Sequence, residues 1–149
     1  MNMEDILEAI PHRPPFLFVD RIIELTETKI KTTKEVSPDE PFFRGHYPGN
    51  PIMPGVLVCE SIFQTGAVLL SKILAVEGGL AHSIPVLTRI NEAKFKGMVK
   101  PGDLLEIEVE LIERLSNAFF LKGSAKVAGK IVVRVEFACS LVPKQEVLQ

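Results

Sequence analysis

Val56–Leu74 reads VLVCESIFQTGAVLLSKIL, with Glu60 as its only acid and Lys72 as its only base. Pro54 and Gly55, just before it, suit a helix start, because proline is pre-set for the first turn and lacks an N–H that the turn leaves unpaired. A helix apolar on nearly every face either spans a membrane or is enclosed by protein. Glu60, Ser61 and Gln64 interrupt this one, and no second span or aromatic belt accompanies it. Enclosure is therefore expected, with no membrane span.

The sequence that follows supplies the enclosure. Val86–Phe95, Leu104–Arg114, Ala118–Val127 and Lys130–Val142 read as strands, the last with Ile131, Val133, Val135, Phe137, Cys139 and Leu141 at a period of two. Ala128-Gly129 makes the final two a hairpin. Upstream, residues 3–10 suit a short helix stopped by Pro11, and Pro11–Pro15 (PHRPP) is rigid and non-helical. Phe16–Leu25 and Lys29–Val36 read as two further strands, the second with Ile30 and Val36 on one face. A run of strands after one long helix gives the α+β class with an antiparallel sheet. A curved sheet wrapped around one apolar helix is the hot-dog architecture, here expected as a single domain over residues 1–149.

Between the second strand and the long helix, Pro38–Pro54 carries five prolines, at 38, 41, 48, 51 and 54, with Gly45 and Gly49. Fixed φ angles argue for a stiff, shaped loop, and long irregular segments are usually functional.

Bulk composition narrows the function. The chain has 149 residues, 46% hydrophobic and 24% charged, with a net charge of −2, so nothing draws it as a whole to nucleic acid or membrane. It has no Trp and one Tyr, Tyr47, which leaves no platform for base stacking. Cys59 and Cys139 sit in apolar runs, and the acidic N-terminal stretch lacks a signal-peptide core, so a cytoplasmic protein is expected. His12, His46 and His82 are scattered and no metal-ligand spacing, phosphate loop, dinucleotide glycine motif or serine elbow occurs. Neither a metal nor a cofactor is expected. Arg89–Lys100 holds Arg89, Lys94, Lys96 and Lys100 against Glu92 alone, a local charge of +3. Such a patch is either a solvated face or a dock for an acidic partner.

Two side chains stand out chemically. His46 sits in Arg44-Gly-His-Tyr-Pro-Gly49, inside the stiff loop, and a neutral imidazole has the right basicity to remove a proton near neutral pH. Glu60 has Val56, Leu57, Phe63 and Gln64 as its helical neighbours. A carboxylate so placed loses hydration without gaining a cation, which favours its protonated form, and Gln64 one turn on can hold its orientation. Gly55, at the helix start, either offers its N–H to a developing oxyanion or merely permits a turn.

These residues lie in a pattern that closely resembles the FabZ-type 3-hydroxyacyl-[acyl-carrier-protein] dehydratases. The resemblance rests on Ile10–Ile22 (IPHRPPFLFVDRI), Phe43–Gln64 (FRGHYPGNPIMPGVLVCESIFQ), Ile90–Leu104 (INEAKFKGMVKPGDL) and Ala125–Leu141 (AKVAGKIVVRVEFACSL). The string GH-x-PG-x-P-x-MPG-V-L-x-x-E-x-x-x-Q within it is long and specific. The resemblance implies a hot-dog fold, dimers usually assembled into a hexamer, and a site at the dimer interface where His46 of one subunit faces Glu60 of the other. It implies a (3R)-hydroxyacyl substrate on the phosphopantetheine arm of acyl carrier protein, a trans-2-enoyl product and no cofactor. His46 then matches the base at C2, Glu60 the group that assists loss of the hydroxyl, and Gly55 the amide on the thioester carbonyl, with Gln64 beside them in the substrate-binding set. Arg89, Lys94, Lys96 and Lys100 become candidates for carrier docking. Tyr47 stands where many members have Phe, and Gly97-Met98 departs from the family before the Val-x-PGD turn.

Related chemistries differ in their residues. Isomerising dehydratases usually carry Asp at the position of Glu60, which argues for simple dehydration. Hot-dog thioesterases use a carboxylate-held water rather than this histidine loop, and a non-catalytic acyl-binding hot-dog is expected to lack the His/Glu pair.

Overall fold

A computed structural model describes residues 2–78 and 83–143. A short helix α1 (Met3–Ala9) precedes strands β1 (Arg21–Leu25) and β2 (Lys29–Glu35). A 3-10 turn at Pro41–Arg44 leads to the long helix α2 (Gly55–Val76), followed by β3 (Ser83–Phe95), β4 (Leu104–Leu115), β5 (Ala118–Val127) and β6 (Lys130–Pro143). The six strands form one antiparallel sheet in the order β1-β2-β4-β5-β6-β3. The sheet encloses α2, which packs against β2, β3, β4, β5 and β6, as the sequence led us to expect. By length and composition α2 could cross a membrane, but here most of its surface is buried in protein.

The alternation of each strand decides which face meets the helix. Ile30, Ile107, Val109, Phe119, Leu121, Val135 and Phe137 point inward and are almost fully buried. The outward positions carry charges, such as Lys29 and Glu108 at 2.7 Å. Exposed pairs of this kind contribute little to stability, so burial on the inner face dominates. Ala128 and Gly129, at φ 50° and 81°, form the tight turn between β5 and β6. A two-residue loop with both φ positive matches the strand twist.

Close approach of helix and sheet depends on two glycines. A Cβ on Gly66 would lie 2.9 Å from the Phe137 ring, and one on Gly123 would run into the Ile62 side chain. Phe63 meets Phe137 edge to face beside them, with ring centroids 4.9 Å apart. The helix therefore sits in a groove that only missing side chains provide.

The expected strand over Phe16–Leu25 is shorter in the structure, starting at Arg21. The reason is where its backbone hydrogen bonds go: Phe16 and Phe18 bond to the Gln64 side chain on α2 instead of to a strand. The loop over 38–54 contains the 3-10 turn, and its start is held by a buried cation unnoticed in the sequence. Lys34, with a side chain 8% exposed, lies 2.8 Å from Glu40 and 3.9 Å from Asp20.

Gly123→Ala should destabilise the protein by about 1–3 kcal/mol, the usual effect of forcing a methyl group into a filled core. Urea unfolding at fixed protein concentration would show this as a lower midpoint with an unchanged slope.

Candidate active site

The sequence places Glu60 on α2, and the structure shows what surrounds it. Its side chain is 21% exposed. The Gln64 Nε2 donates to Glu60 Oε2 at 3.0 Å. Gln64 itself is fully enclosed: its Nε2 also donates to the Phe16 carbonyl at 3.1 Å, and its Oε1 accepts from the Phe18 N–H at 2.8 Å. Both amide hydrogens are thus used, so the substrate-binding part expected for Gln64 finds no free donor. The residue instead ties the chain before β1 to α2 and aims the carboxylate.

Burial pushes the Glu60 carboxyl above its ordinary range, partly opposed by the Gln64 hydrogen bond. The nearest nitrogen outside α2 is one the sequence neighbours gave no sign of. His12 Nε2 lies 3.7 Å from Glu60 Oε2. Burial lowers the His12 basicity, and the adjacent Arg13 charge lowers it further, so this neighbour tends to be neutral. Arg13 itself is turned away, donating to the carbonyls of Leu7, Ile10 and His12 at the end of α1. Among the described residues, Glu60 is left without a permanent cation.

His46 is held elsewhere in the chain. Its Nδ1 lies 2.8 Å from the Ile52 carbonyl. A carbonyl oxygen only accepts, so Nδ1 carries the hydrogen and Nε2 presents its lone pair outward. The ring packs edge-on against Tyr47, centroids 4.7 Å apart. The loop is clamped downstream by the Met53 N–H donating to the Val99 carbonyl at 2.8 Å. His46 and Glu60 do not pair within one chain among the described residues. The third histidine, His82, lies outside the described residues.

Gly55 opens α2, and its N–H has no acceptor within the chain among the described residues. A Cβ there would come within 2.7 Å of the Phe95 ring, so glycine is needed for that ring to lie against the helix start. Phe95 brings the end of β3 to the same place, and with it the flanking Lys94 and Lys96 of the basic run. Arg89, Lys94, Lys96 and Lys100 are all exposed, and none forms an ion pair among the described residues. A cavity of about 310 Å³ opens along the helix face that carries Glu60 and Gln64, lined by Leu7, Ile10, His12, Ala67, Ser71 and Ile84. Burial raises both cysteine thiols, Cys139 to about 12, so neither is a ready nucleophile.

A FabA-like domain model matches residues 10–136, which contain His12, His46, Gly55, Glu60, Gln64 and the basic run from Arg89 to Lys100. The chain belongs to the FabA-like family, as a FabZ-type member. It is 45% identical to the 3-hydroxyacyl-[acyl-carrier-protein] dehydratase FabZ of Petrotoga mobilis, over 91% of this chain and 94% of that one. The FabZ of Caulobacter vibrioides is 43% identical over 95% of this chain and 89% of its own length. Among solved structures, the dehydratase heterocomplex ApeI:P of Xenorhabdus doucetiae aligns with a TM-score of 0.82 at 18% identity, over 97% of this chain and 95% of the other. An uncharacterised protein of Pyrococcus horikoshii aligns with a TM-score of 0.67 at 17% identity, over 91% and 92%. Those two likenesses establish the hot-dog fold alone. For a FabZ-type chain, the geometry adds which atoms have no hydrogen-bond partner among the described residues: Glu60 Oε1, His46 Nε2 and the Gly55 N–H.

Two outcomes follow from this arrangement. Gln64→Leu strands the buried Phe18 N–H and Phe16 carbonyl, so it should cost about 2–4 kcal/mol, read from the urea midpoint. Glu60→Gln tests the buried carboxyl. A carboxyl raised in the folded state stabilises the fold below its unfolded titration and loses that contribution as pH rises through its folded one. The thermal midpoint of the unsubstituted protein should therefore fall relative to Glu60→Gln as pH rises from about 4, where an unfolded glutamate ionises.

Proposed function

We propose that this chain dehydrates (3R)-3-hydroxyacyl thioesters on acyl carrier protein to trans-2-enoyl thioesters and water, in type II fatty-acid synthesis, with His46 as base and Glu60 as acid. The observation that carries the assignment of the acid is the Glu60 carboxyl itself, desolvated on the enclosed helix and aimed by Gln64.

An α-proton beside a thioester is weakly acidic, so its removal needs a base and a stabilised oxyanion together. His46 Nε2 takes the C2 proton, and the Gly55 N–H polarises the thioester carbonyl as negative charge grows on its oxygen. Hydroxide is a poor leaving group, so Glu60 delivers its proton to the 3-hydroxyl, which departs as water while the C2 electron pair forms the double bond. The turnover leaves His46 protonated and Glu60 ionised, and one proton passing back through solvent restores both. The residues need no metal or cofactor for this sequence of steps.

The site needs two copies of the chain. His46 and Glu60 have different partners within one chain, and β3 is an edge strand whose Leu87, Ile90 and Phe95 are exposed. Pairing of that edge with a second copy covers these side chains and sets His46 of one against Glu60 of the other. A hexamer, as three such dimers, is the assembly we expect. The basic run Arg89, Lys94, Lys96 and Lys100 beside the Gly55 helix start suits an acidic carrier protein delivering its phosphopantetheine arm. Both cysteines are free and buried, which fits a reducing cytoplasm.

A carrier-linked 3-hydroxyacyl thioester should give rising conjugated-enoyl absorbance without release of free thiol. His46→Ala and Glu60→Gln should each lower kcat by at least about 10²–10⁴-fold with the fold retained by circular dichroism. Retained turnover in Glu60→Gln would mean that another group is the acid.

A further inference from the structure

His12 takes no part in the steps above, yet it lies against the group that must hold a proton. Its Nε2 is 3.7 Å from Glu60 Oε2, too far for a hydrogen bond and too close for an intervening water. Its Nδ1 is buried without a hydrogen-bond partner among the described residues. Pro11, Pro14 and Pro15 fix the backbone on both sides of it. The Arg13 guanidinium, which would otherwise reach for a carboxylate, is spent on three backbone carbonyls.

We propose that His12 is a positioning residue for the acid: its neutral ring closes one side of the Glu60 carboxyl to water and so keeps that carboxyl protonated until the substrate hydroxyl arrives. Water at Oε2 would solvate the anion and favour early ionisation, whereas a neutral ring there does not. The titratable or charged groups facing Glu60 are His12 with Arg13 behind it, Cys59 on its own helix, and, in the shared site, His46 of the second copy. Arg13 and Cys59 offer Glu60 no hydrogen bond, and His46 enters only through the second copy. Among the described residues, His12 is the ionisable side chain from outside α2 that lies against Glu60 Oε2. The inference rests on Glu60 being the acid.

The test is the pH dependence of kcat with a carrier-linked 3-hydroxyacyl thioester, from about pH 6 to 10, alongside the infrared band of the protonated carboxyl, assigned by its loss in Glu60→Gln. His12→Ala admits water, so the alkaline limb of kcat and the disappearance of the band should both move about one pH unit lower, a tenfold loss of rate on that limb. KM should stay within about twofold. His12→Phe, an apolar ring of similar size, should restore both. If His12→Ala leaves limb and band where they were, or if His12→Phe moves them as far as His12→Ala does, the role is not that of a water barrier. An unsubstituted protein that forms no enoyl product would instead overturn the dehydratase reading, so the two failures are distinguishable.

Discussion

A carboxyl on a helix that a sheet encloses must either find a cation or keep its proton, and among the described residues no lysine or arginine pairs with Glu60. Arg13 donates to backbone carbonyls at the end of α1, and the basic side chain that lies against Glu60 is a histidine whose surroundings favour its neutral form. Gln64 completes the constraint by donating to the carboxylate from a side chain that cannot move without stranding the Phe16 and Phe18 backbone. Poor solvation, which would merely be a defect elsewhere in a core, here raises the Glu60 carboxyl and favours the protonated form that our proposed acid needs.

The scaffold around that carboxyl is built to let the helix lie deep. Gly123 and Gly66 remove the side chains that would hold Ile62 and Phe137 apart, and the inner faces of β4, β5 and β6 present branched and aromatic residues to fill the remaining space. Close packing of this kind makes the position of Glu60 a property of the whole sheet rather than of one loop. His46, by contrast, rides on a loop and is made precise by prolines, by the Ile52 carbonyl on its Nδ1 and by anchors at Lys34 and Met53. The acid and the base that we propose thus have separate supports within the chain.

Much of this was legible in the sequence. An apolar run as long as Val56–Leu74 with strands after it leaves few folds, and period-two alternation in β6 marks the buried side chains from Val133 to Cys139, whereas a bulge at Ala125/Lys126 turns Ile131 outward and buries Val132 instead. Glu60 was conspicuous because it is the only acid in that run. What could not be read were contacts between segments distant in the chain. Nothing local to Phe16–Phe18 says that its hydrogen bonds end on Gln64, so the first strand was expected to begin too early. His12 looked like one more isolated histidine until the fold carried it to Glu60, and nothing local to Lys34, a cation on the Ile30 and Val36 face of its strand, says that Glu40 and Asp20 receive it.

The central claim is that one chain supplies the desolvated acid and a second supplies the base. Mixing His46→Ala with Glu60→Gln under conditions of subunit exchange tests it directly. Random pairing of the two inactive variants makes half the dimers mixed, each with one site that has both His46 and Glu60, so the mixture should recover roughly a quarter of the unsubstituted activity per chain. Exchange demonstrated by mass spectrometry, with the mixture as inactive as its components, would contradict a shared site.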